Sequence, residues 1–287
     1  MRRFANCILP IADCRLPIAY CLFALTSCYT PRYVYSPSAH NVPVLVNKGD
    51  SKLAFNYSTN FAKKNAEGIV KDNWSSGIDL HGAYALTKKF AVQINYSHRR
   101  EKNNGDFSSI NLDSSVINYT RNLTEIGFGY YRRLMRNEQG IFQVFAGIGF
   151  GRFGFTDIGR DQNNVFHDNF HEVGITKLYV QPAFTIRKKN FAASLSSRFS
   201  LVYFNNIETD YSATELDKYK LDSLSYRPRL FWEPAIVNTF GFKKLPGLQL
   251  EFQLGLCLLQ SPLFIDYRSF NFSAGVLFDV PKLLRKK

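Results

Sequence analysis

Two groups of residues in this chain have the types and spacing to do chemistry. The first is His167-Asp168-Asn169-Phe170-His171-Glu172. Histidines four apart share one face of a helix, where they can chelate a metal ion. The segment lies in a long polar stretch and lacks the Glu spacing of a zinc protease. The expectation is therefore no metal site, with His167 and His171 as the pair that would form one. The second group is Glu125, Glu233 and Glu251 with Arg198, all on the polar side of alternating stretches. Carboxylates in a low-dielectric interior serve as acids or bases when their pKa values are raised. Such groups more commonly pair, because an unpaired buried charge is costly, and Arg198 is the available partner. They read as a polar network inside a barrel. His81 and His98 lack a nucleophile or an orienting partner. Gly147, Gly149 and Gly151 alternate along a strand, so they mark close packing and not a phosphate loop. No cofactor is expected.

The elements that carry these residues are strands. From Gly77 to Ser97, Ile78, Leu80 and Tyr84 alternate with Asp79, His81 and Ala83. Thr87-Lys88-Lys89 turns the chain, and Phe90, Val92, Ile94 and Tyr96 then alternate with Ala91, Gln93, Asn95 and Ser97. This is a β-hairpin pattern. It recurs as ten candidate strands near 51–60, 75–87, 90–100, 117–132, 141–154, 175–187, 191–204, 229–241, 248–259 and 269–279. Most are long enough to cross a bilayer when tilted. Connections near 88–89, 133–140, 188–190 and 242–247 are short, whereas those near 61–74, 101–116, 155–174, 205–228 and 260–268 are mostly longer. Pro182 and Pro234 fall inside strands in matching contexts, Gln181-Pro182-Ala183-Phe184 and Glu233-Pro234-Ala235-Ile236. A bulge is expected at each.

Charge follows the connections. The chain carries a formal net charge of +13. The short turns hold Lys88, Lys89, Arg132, Arg133, Arg136, Arg187, Lys188, Lys189, Lys243 and Lys244, and the tail adds Lys282, Arg285, Lys286 and Lys287. Asp157, Asp161, Asp168, Glu172, Glu208, Asp210, Glu215, Asp217 and Asp222 lie in the long connections. The excess charge is thus a ring at one rim, suited to anionic lipid headgroups and not to nucleic acid.

The first residues have the pattern of an export leader. Arg2, Arg3 and Arg15 precede the apolar run Leu16–Leu25, which ends in Leu25-Thr26-Ser27-Cys28. Residues 1–27 are expected to be a lipoprotein-type signal peptide and Cys28 a lipid anchor. Each buried acyl methylene would contribute roughly 0.8 kcal/mol to membrane attachment. Leu9–Arg15 is nearly repeated by Leu16–Leu22, placing Cys7, Cys14, Cys21 and Cys28 seven apart. With the leader removed, Cys28 and Cys257 remain and no structural disulfide is expected. Residues 28–50 contain Pro31, Pro37 and Pro43 without sustained alternation, and read as a periplasmic tether. The barrel is expected over 51–280, with a basic periplasmic tail over 281–287. No apolar run is long enough for a transmembrane helix.

The polar faces decide between a membrane and a soluble barrel. In the fifth strand Phe142, Val144, Ala146, Ile148 and Phe150 oppose Gln143, Phe145, Gly147, Gly149 and Gly151. In the ninth, Leu248, Leu250, Phe252, Leu254, Leu256 and Leu258 oppose Gln249, Glu251, Gln253, Gly255 and Cys257. Gly, Gln and occasional charges suit a crowded lumen, and the large apolar set suits lipid. Phe90, Tyr96, Tyr203, Trp232, Phe240 and Tyr267 are expected in interfacial girdles. The fold class is therefore all-β, a closed antiparallel up-and-down transmembrane β-barrel of about ten strands, with a soluble periplasmic ligand-binding barrel as the rival.

On the Leu25–Cys28 lipobox, Ser38-Ala39-His40-Asn41-Val42-Pro43, the hairpin pattern and strands such as Val144–Phe153, residues 28–280 resemble small outer-membrane barrels of the Bacteroidota type. The tail departs from familiar barrels, which end on an aromatic residue; here Phe278 is followed by a basic segment. Omptin proteases are also ten-stranded, but none of their motifs occurs here. The resemblance implies an outer-membrane location with both termini periplasmic, outer-membrane lipids as partners, and the long loops open to an extracellular ligand. The expected role is structural or surface-binding and non-enzymatic. The alternatives are a narrow channel or a barrel-embedded hydrolase or acyltransferase.

Overall fold

The computed structural model describes residues 32–60, 74–105, 114–134, 139–160, 165–245, 247–260 and 265–284. The leader, Cys28, Asp161, Arg136 and Arg285–Lys287 lie outside them. The strands are β1 (Ser51–Thr59), β2 (Trp74–Ala85), β3 (Phe90–Gly105), β4 (Ser114–Leu134), β5 (Gly140–Arg160), β6 (Phe166–Lys188), β7 (Phe191–Thr209), β8 (Arg229–Gly241), β9 (Leu248–Leu256) and β10 (Phe270–Asp279). Leu258–Leu259 prolongs β9 along β8 after a break at Cys257. Each strand pairs antiparallel with the next, and β1 closes the cylinder against β10, for example Phe55 opposite Val276. The fold is a closed, ten-stranded, up-and-down barrel. It has no open edge, so the wall strands keep their ladders on both sides.

The apolar alternation that forms the strands also builds the outer face. Leu53, Phe55, Leu80, Ile94, Phe128 and Leu195 point outward and are exposed. Near the turn end the band finishes in Phe90, Tyr130 and Phe240, and toward the loops in Tyr96, Tyr203 and Trp232. Tyr267 is not in a girdle. It is partly buried within the barrel, with its ring edge-on to Phe231 at 5.6 Å.

Strands β3 to β7 run farther toward the loop end than the alternation suggests. The stretch 155–174, expected as a loop, is mostly strand. The reason is a reversal of amphipathic sense with height. Above the band the inward residues become apolar, including Tyr119, Phe153, Phe155, Val173, Val202 and Phe204. The outward ones become mixed, with Arg100, Arg152 and Glu172 beside the exposed Ile158, Phe166 and Phe170. The lower cylinder is thus built for lipid, and its upper extension presents a more polar, mixed outer face over an apolar interior. A pattern search that follows one sense loses the strand where the sense flips.

Neither proline carries a bulge. Pro182 sits opposite Val144, and Pro234 opposite Ser197, in unbroken registers. An antiparallel residue directs its N–H to one neighbour only, so proline costs a single ladder bond and leaves the other side intact. A register shift is recorded instead between Glu172 and Gly174 in the β6–β7 pair.

Between β7 and β8 the chain forms helix α1 (Ala213–Lys218) and a 3-10 turn, Asp222–Ser225. Ser212 caps α1, accepting from the Glu215 amide while the Glu215 carboxylate accepts from the Ser212 N–H. Tyr211, Tyr219, Leu221 and Leu224 from this segment pack onto the inward aromatics and close the loop end. The tail begins with helix α2 (Val280–Leu284) at the turn end.

Candidate functional site: the plugged lumen

The principal departure from the sequence reading is the segment before β1. Residues expected as a periplasmic tether lie inside the barrel. Arg32, Val34, Tyr35, Ser38, Ala39, His40, Asn41, Val42 and Leu45 are all buried. Pro37 and Pro43 favour extended backbone and withhold two donors, which suits a strand without a ladder. Side chains of the wall supply the missing partners. Gln253 accepts from the His40 N–H at 2.9 Å and donates back to the His40 carbonyl at 2.8 Å. Gln181 donates to the Asn41 carbonyl at 2.8 Å.

At the loop end, Arg32 pairs with Asp157 and lies over the Tyr219 ring at 3.7 Å, and Tyr211 donates to the same carboxylate at 2.5 Å. Burial pushes the Tyr211 phenol pKa up; the neighbouring Arg32 opposes the rise and Asp157 adds to it. Arg121 pairs with Glu101 and donates to the Tyr33 carbonyl at 2.6 Å. Arg268 pairs with Glu101 at 2.5 Å and covers the Tyr33 ring.

At mid-height, four wall charges meet the plug. Lys177 lies 3.1 Å from Glu125 and 3.7 Å from Glu233. Arg198 lies 3.9 Å from Glu125 and 3.5 Å from Glu233. Arg198 also donates to Gln181, to Ser38 Oγ and to the Ala39 carbonyl. Tyr35 donates to Glu233 at 2.6 Å. Two cations and two carboxylates balance, and the plug takes up part of their hydrogen-bond capacity, while Lys177 Nζ, Glu125 Oε1 and Glu233 Oε2 are held by charge pairing alone. Mutual neutralisation together with these hydrogen bonds is what makes buried charge tolerable. Asn41 then donates to Asn95 and to the Gly82 carbonyl. Below this, Val42 packs between Ala183 and Val237, and Leu45 against Ala85, Ala91, Tyr131 and Phe145. The chain leaves at the turn end, where Gly49 (φ +85°) takes a left-handed conformation suited to glycine and its N–H reaches the Ala85 carbonyl.

Glu125, Glu233 and Arg198 thus share one network. Glu251 faces the same lumen but lies apart from it, accepting from Asn56 and Gln253 at 2.9 Å each. Lys177, the central cation, was passed over in the sequence; its inward parity with Tyr179 and Gln181 was the available signal. His167 and His171 are on a strand and not a helix. At about 3.3 Å per residue their backbones lie roughly 13 Å apart, too far to share an ion. His167 stands 3.5 Å from Asp157, and His171 packs against Phe155. Among the described residues no cluster suited to a metal is present. Ser196, His40 and Glu233 have the residue types of nucleophilic catalysis, with His40 2.9 Å from Ser196 Oγ and 3.9 Å from Glu233. All three are buried, His40 as part of the plug itself.

The described chain enters the barrel at the loop end and finishes at the turn end, so its two limits lie at opposite mouths. The even strand count does return the C-terminus to the side where β1 begins. The plug is the extra crossing that separates it from Arg32.

No family model and no curated protein matches this chain. Solved structures do. The outer membrane protease OmpT from Escherichia coli is similar over 80% of this chain and 95% of its own, at 10% identity and a TM-score of 0.42. The translocator domain of autotransporter NalP from Neisseria meningitidis is similar over 81% and 88%, at 9% identity and 0.44. Outer membrane phospholipase A from Escherichia coli matches over 84% and 94%, at 10% identity and 0.29. These likenesses reach the fold and no further. Barrels of this build nevertheless include a protease and a phospholipase, so the expectation of a non-enzymatic protein is withdrawn.

Proposed function

We propose that the protein is a sealed outer-membrane barrel that presents its loop-end extension to the exterior as a binding surface. The observation that carries this reading is the plug: residues 32–45 occupy the lumen from the loop end to the turn end, and wall side chains hold them at every level. A lumen filled in this way leaves little room for a water path, which disfavours the narrow channel. The extension with its α1 cap stands above the apolar band and carries the outward polar residues of β3 to β7. That surface is where a ligand from outside would be met. Anchoring through Cys28, the Bacteroidota type and an outward-facing loop end belong to the same proposal. The short basic turns at the opposite end support that orientation, because short turns are periplasmic in barrels of this kind.

The test is conductance in planar bilayers. Protein whose folding is verified by a band shift on boiling is expected to give no steady current steps. A variant lacking residues 33–46, folded by the same criterion, is expected to conduct. Steady steps from the intact protein would overturn the sealed reading in favour of a channel.

A further inference from the structure

The turn-end mouth holds a feature that the plug does not use. A cavity of about 630 Å³ opens there between the exit of the plug, the β6–β7 turn, the β8–β9 turn and α2. Its lining includes Lys52, Arg187, Lys188, Lys189, Lys243 and Lys282, and no carboxylate. Lys52 is buried at one wall and pairs with Asp279, which Lys282 also contacts at 2.8 Å. That single carboxylate, shared by two lysines, leaves the basin strongly positive. Phe191 and Phe242 border it, and both are exposed. The volume suits a small ligand, and concave walls of one sign focus the field on an oppositely charged guest.

We propose that this basin binds a phosphate-bearing anion. Several cations on different elements converge on one concavity, which a point contact with solvent ions would not need. Lysines act on phosphate as point charges from several directions and require no bidentate geometry. Val44, Phe191 and Phe242 add apolar surface beside the charge, so an anionic phospholipid headgroup and a free phosphorylated solute share the chemistry the basin recognises. This inference goes beyond the sealed-barrel reading and fails separately from it. Conductance reports on the plug, and binding reports on the mouth.

The experiment uses the full chain folded in zwitterionic detergent. Pyrophosphate and dihexanoylphosphatidylglycerol are titrated in turn by calorimetry at low salt, with the zwitterionic, net-neutral dihexanoylphosphatidylcholine as the control. The comparison is the triple variant Lys188→Glu, Lys189→Glu, Lys243→Glu, whose exposed positions leave folding intact by the heat-shift criterion. Saturable binding of either anion, weakened at least tenfold in the variant and by raised salt, supports the proposal. Binding of the glycerol lipid alone assigns the basin to headgroups. Binding of pyrophosphate as well assigns it to the phosphate itself. No saturable binding of either anion, equal binding by the variant, or equal binding of the choline lipid would overturn it.

Discussion

At the scale of single residues, the mid-height network is balanced and therefore vulnerable. Removing one carboxylate by Glu233→Gln leaves Lys177 and Arg198 sharing Glu125 and gives Tyr35 a neutral amide oxygen in place of a charged acceptor. Breaking a buried pair from one side costs roughly 3–5 kcal/mol. The variant should lose its heat-resistant gel band at a clearly lower temperature than the wild type. Pairing it with Lys177→Met should recover part of that loss, because the second change removes the orphaned charge, and a double-mutant cycle would measure the coupling. Equal, additive losses would show that the two residues do not interact. The sequence made Glu125, Glu233 and Arg198 readable, since their parity in the strand points them inward. It did not reveal that Tyr35, Ser38 and His40 complete their shell. Short polar residues between prolines look the same on paper whether they meet water or a lumen.

At the scale of elements, the period-two pattern located every strand because each has one face of uniform chemistry within the lipid band. The pattern ran out above the band, where Phe153 and Phe155 turn inward while Arg152 and Thr156 turn outward. It had nothing to offer for the plug, whose neighbours come from many strands and impose no period. Glycines in β4 and β5 show how the wall accommodates its contents. A Cβ added at Gly147 would collide with the Ile126 carbonyl and lie 2.7 Å from the Tyr179 hydroxyl, whereas at Gly255 nothing comes closer than 3.7 Å. Gly147→Ala should therefore destabilise by about 1–3 kcal/mol, as overpacking does, and Gly255→Ala by much less. Denaturant midpoints of the folded band would check the contrast.

At the scale of the whole molecule, the two mouths differ in character. The loop end is closed by α1 and its tyrosines over an apolar interior; the turn end is open, basic and fringed by exposed aromatics. With the loop end outward, an epitope inserted just before Arg32 should be labelled by antibody on intact cells. One placed after Leu284 should be reached only after permeabilisation. Labelling of both, or of the C-terminal epitope alone, would contradict that orientation. The position of the plug also dictates an order of assembly. The bond between β1 and β10 joins the two ends of the chain, so the cylinder closes last, and the plug is the stretch leading directly into β1. Once the wall is shut, Arg32 could reach its place only by dragging a charge past the packed layer around Leu45, Tyr131 and Phe145. The axial segment must therefore be laid down before or during closure, so that this barrel is built around its own leading chain.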